Sequence, residues 1–203
     1  MAAPTRSGGA ETRRIQQSST WMLGSLLSMA ESDPNRLLSQ IEEDFKPESL
    51  KAARQRPEMA FAWQDRMAYL GAMTQFFNPE GKIKGNLAEL KGYRLRARKL
   101  INQALLGDVS LLVRDGAVEA VRRINRMQPN ESSSWKSVLE QAFEDRKNVL
   151  DGEGLFIRET ILTALREGSL SLSQKVRRMA ETDQNNKVRD LLSLWSTAAF
   201  DTL

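Results

Sequence analysis

The 203-residue sequence predicts an all-α protein, a compact multi-helix bundle or orthogonal array of about eight to ten helices with no sheet. Apolar residues recur at helical spacing along nearly the whole chain, and alternating runs rich in β-branched residues are almost absent. Proline and glycine fall where helices would start and stop. The intervening turns are short, so successive helices must pack on one another. No internal repeat or low-complexity tract stands out.

Residues 1–10 (MAAPTRSGGA) are small and polar and are expected to form a disordered tail. Residues 11–203 are expected to form a single helical domain, and the Pro129 turn, near 128–132, is where two subdomains would divide. The first helix is expected over 11–30, with Ile15, Trp21, Met22, Leu26 and Met29 on its apolar side. Asp33-Pro34 reads as an N-cap followed by a first-turn proline, which lacks only a donor that position leaves unpaired. Leu37, Leu38, Ile41 and Phe45 follow at helical spacing. Pro47 and Pro57 mark two further starts, each followed by a glutamate that suits the helix dipole. Large residues cover more than one face of 57–77, which makes it the predicted central helix.

Asn78-Pro79-Glu80-Gly81 is a turn. Asn86 and Glu89 have capping-box spacing, and the helix they open should run to Leu106 and end at Gly107. Asp108 is expected to cap the next helix, which reaches Met127 and carries a Glu119–Arg123 pair at i,i+4. Gln128-Pro129-Asn130 breaks it. Further helices are expected over 133–149, 154–167, 171–181 and 183–200. Gly168 is expected at a C′ position, and Ser171 with Gln174 as a second capping box.

The chain has no cysteine, which excludes disulfides and thiolate chemistry and suits a reducing, cytoplasmic setting. It has no histidine, which removes the usual general base, metal ligand and pH switch. No nucleotide-binding glycine loop is present, and Asp151-Gly152-Glu153-Gly154 reads as a turn. The acidic groups Glu42-Glu43-Asp44 and Glu140, Glu144, Asp145 read as solvated faces, without calcium-loop spacing. Ser171 and Lys175 lie one turn apart, but capping accounts for the serine. The expectation is a non-enzymatic protein without cofactor or metal. No apolar run is long enough to span a bilayer, and no secretory h-region follows Arg6.

Charge is unevenly spread. Between Lys82 and Lys99 lie seven cations, Lys82, Lys84, Lys91, Arg94, Arg96, Arg98 and Lys99, against one anion, Glu89. The whole chain carries only +4. On a helical projection Lys91, Arg94, Arg96, Arg98 and Lys99 share a broad outer arc, while Leu90, Ala97, Leu100, Ile101 and Ala104 share the inner side. Arg122, Arg123 and Arg126 form a second cluster. Such a strip can meet nucleic-acid phosphates, RNA rather than DNA, and it can equally be a solvated face. An anionic membrane surface or an acidic protein are further readings. Tyr93 is the only aromatic residue in the strip, so nucleic acid would be held by its backbone rather than by stacked bases. Trp21, Leu23 and Leu27 near one end, and Trp195 near the other, offer apolar surface for a protein partner or self-association. The alternative to a nucleic-acid role is a helical protein–protein adaptor or regulator.

Overall fold

The structure, a computed structural model, describes residues 22–46, 62–148 and 155–198. These contain nine α-helices and no strand. They are α1 (22–32), α2 (Pro34–Asp44), α3 (Ala62–Thr74), α4 (Leu87–Gly107), α5 (Leu111–Met127), α6 (Lys136–Glu144), α7 (Leu155–Glu167), α8 (Gln174–Glu181) and α9 (Asn186–Ala198). Short 3₁₀ segments follow α3 (Gln75–Phe77), precede α6 (Pro129–Trp135) and follow it (Arg146–Asn148).

Alternate helices stack in two layers. α3 packs on α5, α5 on α7 and α7 on α9, while α2 packs on α4, α4 on α6 and α6 on α8. Sequence neighbours α4 and α5, α6 and α7, and α8 and α9 join the layers. Leu23 of α1 lies against Gly71 of α3, within 3.1 Å of where a Cβ there would stand. The buried apolar residues form one cluster, contributed by both layers and running from Leu26 to Leu192. Trp135 is fully buried in it and packs against Phe77, with ring centroids 6.1 Å apart. Each such side chain contributes about 1.5–3 kcal/mol by leaving water.

Two predicted caps are present. The Asp33 carboxylate accepts from the Arg36 N–H at 3.0 Å. The Asn86–Glu89 box is complete, with bonds of 3.0 and 2.8 Å. Other local expectations need correction. Ser110, not Asp108, occupies the N-cap of α5. Ser173, not Ser171, caps α8, because Ser171 instead accepts from the Lys136 ammonium. The left-handed residue after α7 is Ser169 (φ 52°), one beyond Gly168. Its N–H and that of Leu170 donate to Arg166 and Leu165 carbonyls, closing the helix end. The helix expected over 133–149 is a 3₁₀ entry, a nine-residue α6 and a 3₁₀ exit. Glu119 pairs with Arg122 rather than Arg123. The tail 1–10, the start of the 11–30 helix and the helix starts at Pro47 and Pro57 lie outside the described residues.

The absence of repetition is also corrected. Asp-x-x-x-x-Val-Arg-Asp occurs at 108–115 and again at 183–190. In both copies the aspartate is buried and accepts from the backbone N–H two residues on, that of Ser110 or Asn185. In both, the arginine six residues on donates to the aspartate's own carbonyl, and the valine between them is fully buried. An arginine from the preceding helix of the odd layer completes each. Arg66 meets Asp108 at 2.6 Å, and Arg158 meets Asp183 at 2.6 Å. One local device thus locks α5 to α3 and α9 to α7.

Candidate nucleic-acid interface

The strip from Lys82 to Lys99 begins on the extended segment before α4. Lys82 and Lys84 are exposed there, either side of the half-buried Ile83. α4 itself lies between α2 and α6 in its layer and rests on α5. Its buried side is Ala97, Leu100, Ile101, Ala104 and Leu105. With neighbours on both flanks, the outward face is left with Leu87, Lys91, Gly92, Leu95 and Lys99, all exposed, beside Ala88 and Glu89, also exposed, in the first turn. Leu87 is 84% and Leu95 67% exposed.

The three arginines fall on the flanks and turn into the fold. Arg96 reaches α2, where its guanidinium meets both Glu42 oxygens at 2.9 and 3.0 Å, with Asn35 at 3.0 Å and Ser39 at 3.2 Å. The Arg96 hydrogen bonds hold the Glu42 carboxyl below its ordinary pKa. On the other flank Arg98 pairs with Glu131 and lies over the Trp135 ring, 5.2 Å from its centroid. Arg94 donates from Nε to the Phe76 carbonyl at 2.9 Å. Lys82, Lys84, Lys91 and Lys99 form no ion pair among the described residues, although Lys99 lies near enough to Glu42 to help lower its pKa.

The second cation cluster lies in the other layer. Arg122 of α5 is held between Glu119 and Glu167 of α7, and those bonds raise its pKa further. Arg123 and Arg126 are exposed. Arg123 lines a cavity of about 310 Å³ beside α1 and α3. This cluster therefore sits on a different helix and in the other layer from the lysines of α4.

Of the apolar candidates, Trp21 lies outside the described residues. Leu23 and Leu27 are half-buried, Leu23 against α3 and at the same cavity. Trp195 is half-buried and packs on the core. Sequence reasoning missed the apolar part of the α4 surface. A groove of about 440 Å³ runs along α4, lined by Leu87, Leu90, Lys91, Arg94, Leu95, Arg98 and Glu131 of the following 3₁₀ segment. Its signal was available as two leucines amid the cations, at positions no single buried face could accommodate.

The acidic groups are engaged locally. Glu42 meets Arg96, Asp44 accepts from the Tyr69 hydroxyl at 2.6 Å, Glu140 accepts from the Ser173 N–H at 2.7 Å, and Glu144 meets Lys175. No group able to hold a metal ion occurs among the described residues, and none of the described helices is long and apolar enough to cross a membrane. Comparison with known proteins finds no matching family model, no similar curated protein and no similar solved structure.

Proposed function

We propose that this chain is a non-enzymatic binding protein whose working surface is the outward face of α4, and that it engages an anionic protein partner as an adaptor or regulator. The observation that carries this is the exposure of Leu87 and Leu95 among Lys91 and Lys99, while the half-buried Arg96 and Arg98 are paired with Glu42 and Glu131. A surface that mixes leucine with lysine suits a partner that is both acidic and apolar. Phosphate would gain nothing from the leucines.

A second reading, nucleic-acid binding, rests on the four exposed lysines Lys82, Lys84, Lys91 and Lys99, held in no ion pair among the described residues. Four phosphate contacts would give a log–log salt slope of about −3 on single strands, which means weak binding without sequence preference.

Anisotropy of a labelled RNA and of a labelled acidic amphipathic peptide, each across a salt series, separates the readings. Lys91→Glu with Lys99→Glu is expected to weaken whichever probe binds. Leu95→Ser is expected to weaken the peptide alone. No binding of either probe at low salt, or binding that ignores the charge reversals, defeats the proposal.

A further inference from the structure

Resting on that reading, we infer that the groove along α4 receives one acidic amphipathic helix of a protein partner. Leu87 and Leu95 stand eight residues apart, a rise of about 12 Å along the helix. Two apolar side chains two turns apart on a second helix, at i and i+7 or i+8, would match that spacing. Lys91 lies between the leucines, and Arg94 and Arg98 lie on the same flank. Glu131 faces them from the opposite wall, and its charge is already matched by Arg98. The groove is therefore apolar along its length and positive at its edge, complementary to leucines flanked by glutamates.

The other occupants fit less well. An extended strand has no sheet edge to join among the described residues. No aromatic residue lines the groove, so bases would have no platform on which to stack. An anionic bilayer is flat, cannot enter a groove and would meet the Glu131 carboxylate.

The test is anisotropy with a labelled helical peptide bearing leucines on one face and glutamates on the other. Polyglutamate, single-stranded RNA and vesicles of phosphatidylcholine with phosphatidylserine serve as comparison probes. The peptide is expected to bind, and polyglutamate to bind more weakly. Leu95→Ser is expected to cost about tenfold in affinity, and Leu87→Ser a similar factor. Glu131→Gln is expected to tighten binding, because it removes a like charge from the groove lining. Thermal melts by circular dichroism check that the leucine variants keep their fold, which the exposure of both positions makes the expected result.

Peptide affinity unchanged by both leucine substitutions, or polyglutamate binding as tightly as the peptide, overturns the helix inference and leaves an anionic partner in place. Binding of RNA or vesicles without the peptide overturns the inference in favour of that class. If no probe binds, both the inference and the function proposed above fall.

Discussion

Replacing Asp108 with alanine should be among the most damaging single changes to the described structure. The Asp108 side chain is fully buried and that of Arg66 is 6% exposed. Both carboxylate oxygens are used, one on Arg66 Nε at 2.6 Å, the other on Nη2 at 3.0 Å and on the Ser110 N–H at 2.7 Å. Alanine would leave a buried guanidinium without its counter-charge and a backbone donor without its acceptor. Breaking a buried pair from one side costs about 3–5 kcal/mol, a large part of the roughly 5–15 kcal/mol that holds a domain folded. The comparison is Glu42→Ala, which frees Arg96 at a site where the two side chains are 30% and 43% exposed. Solvent screening there limits the loss to about 1 kcal/mol or less. In urea unfolding, with a slope of about 1–3 kcal/mol per molar, Asp108→Ala should lower the midpoint by more than about 1 M. Glu42→Ala should lower it several times less. Arg66→Met combined with Asp108→Leu removes both charges and should recover part of the loss, short of full recovery because the Ser110 N–H stays unpaired. Equal midpoints for Asp108→Ala and Glu42→Ala, or a double variant no better than Asp108→Ala, would refute the reasoning.

Three other outcomes are expected. Gly92→Ala should stabilise α4 by up to about 1 kcal/mol, because an added Cβ there meets nothing within 4 Å and alanine is the better helix former; a lower melting temperature would count against the open face described for α4. Ser169→Gly should raise the melting temperature, since glycine adopts the left-handed φ of 52° without the strain a side chain adds; destabilisation would mean that this closure of α7 does not form. Burial pushes the Asp115 carboxyl above its ordinary 3.8, against the opposing effect of the Thr160 hydroxyl that donates to it at 2.8 Å. A raised folded-state pKa favours the native state fully below the unfolded value, and this contribution is lost as pH rises through the folded value. Asp115→Asn, which keeps an acceptor for Thr160, should therefore match the wild type near pH ~3 and become the more stable of the two as pH rises towards neutral. Urea midpoints across that window check it, and a gap that closes with rising pH would contradict the assignment.

How far the sequence could be read depended on how far each interaction reaches along the chain. The caps at Asp33 and Asn86 were legible because donor and acceptor lie three residues apart. Asp108 has the same chemistry as a cap, but Arg66, 42 residues earlier, claims its carboxylate. Ser171 lost its expected role in the same way, to Lys136. The recurrence of Asp-x-x-x-x-Val-Arg-Asp was present in the letters, but four matching positions across a long separation gave a weak signal until both copies showed the same hydrogen bonds.

Composition and periodicity by themselves determined that the chain is helical, where most helices lie, and that positive charge concentrates between Lys82 and Lys99. Tertiary structure alone decided which of those charges face water. A helical projection allows for one buried side, whereas α4 has a neighbour on each flank as well as α5 beneath it. The long side chains at the borders of its outer arc, Arg96 and Arg98, could therefore reach Glu42 and Glu131, and lysine and leucine were left on the open face.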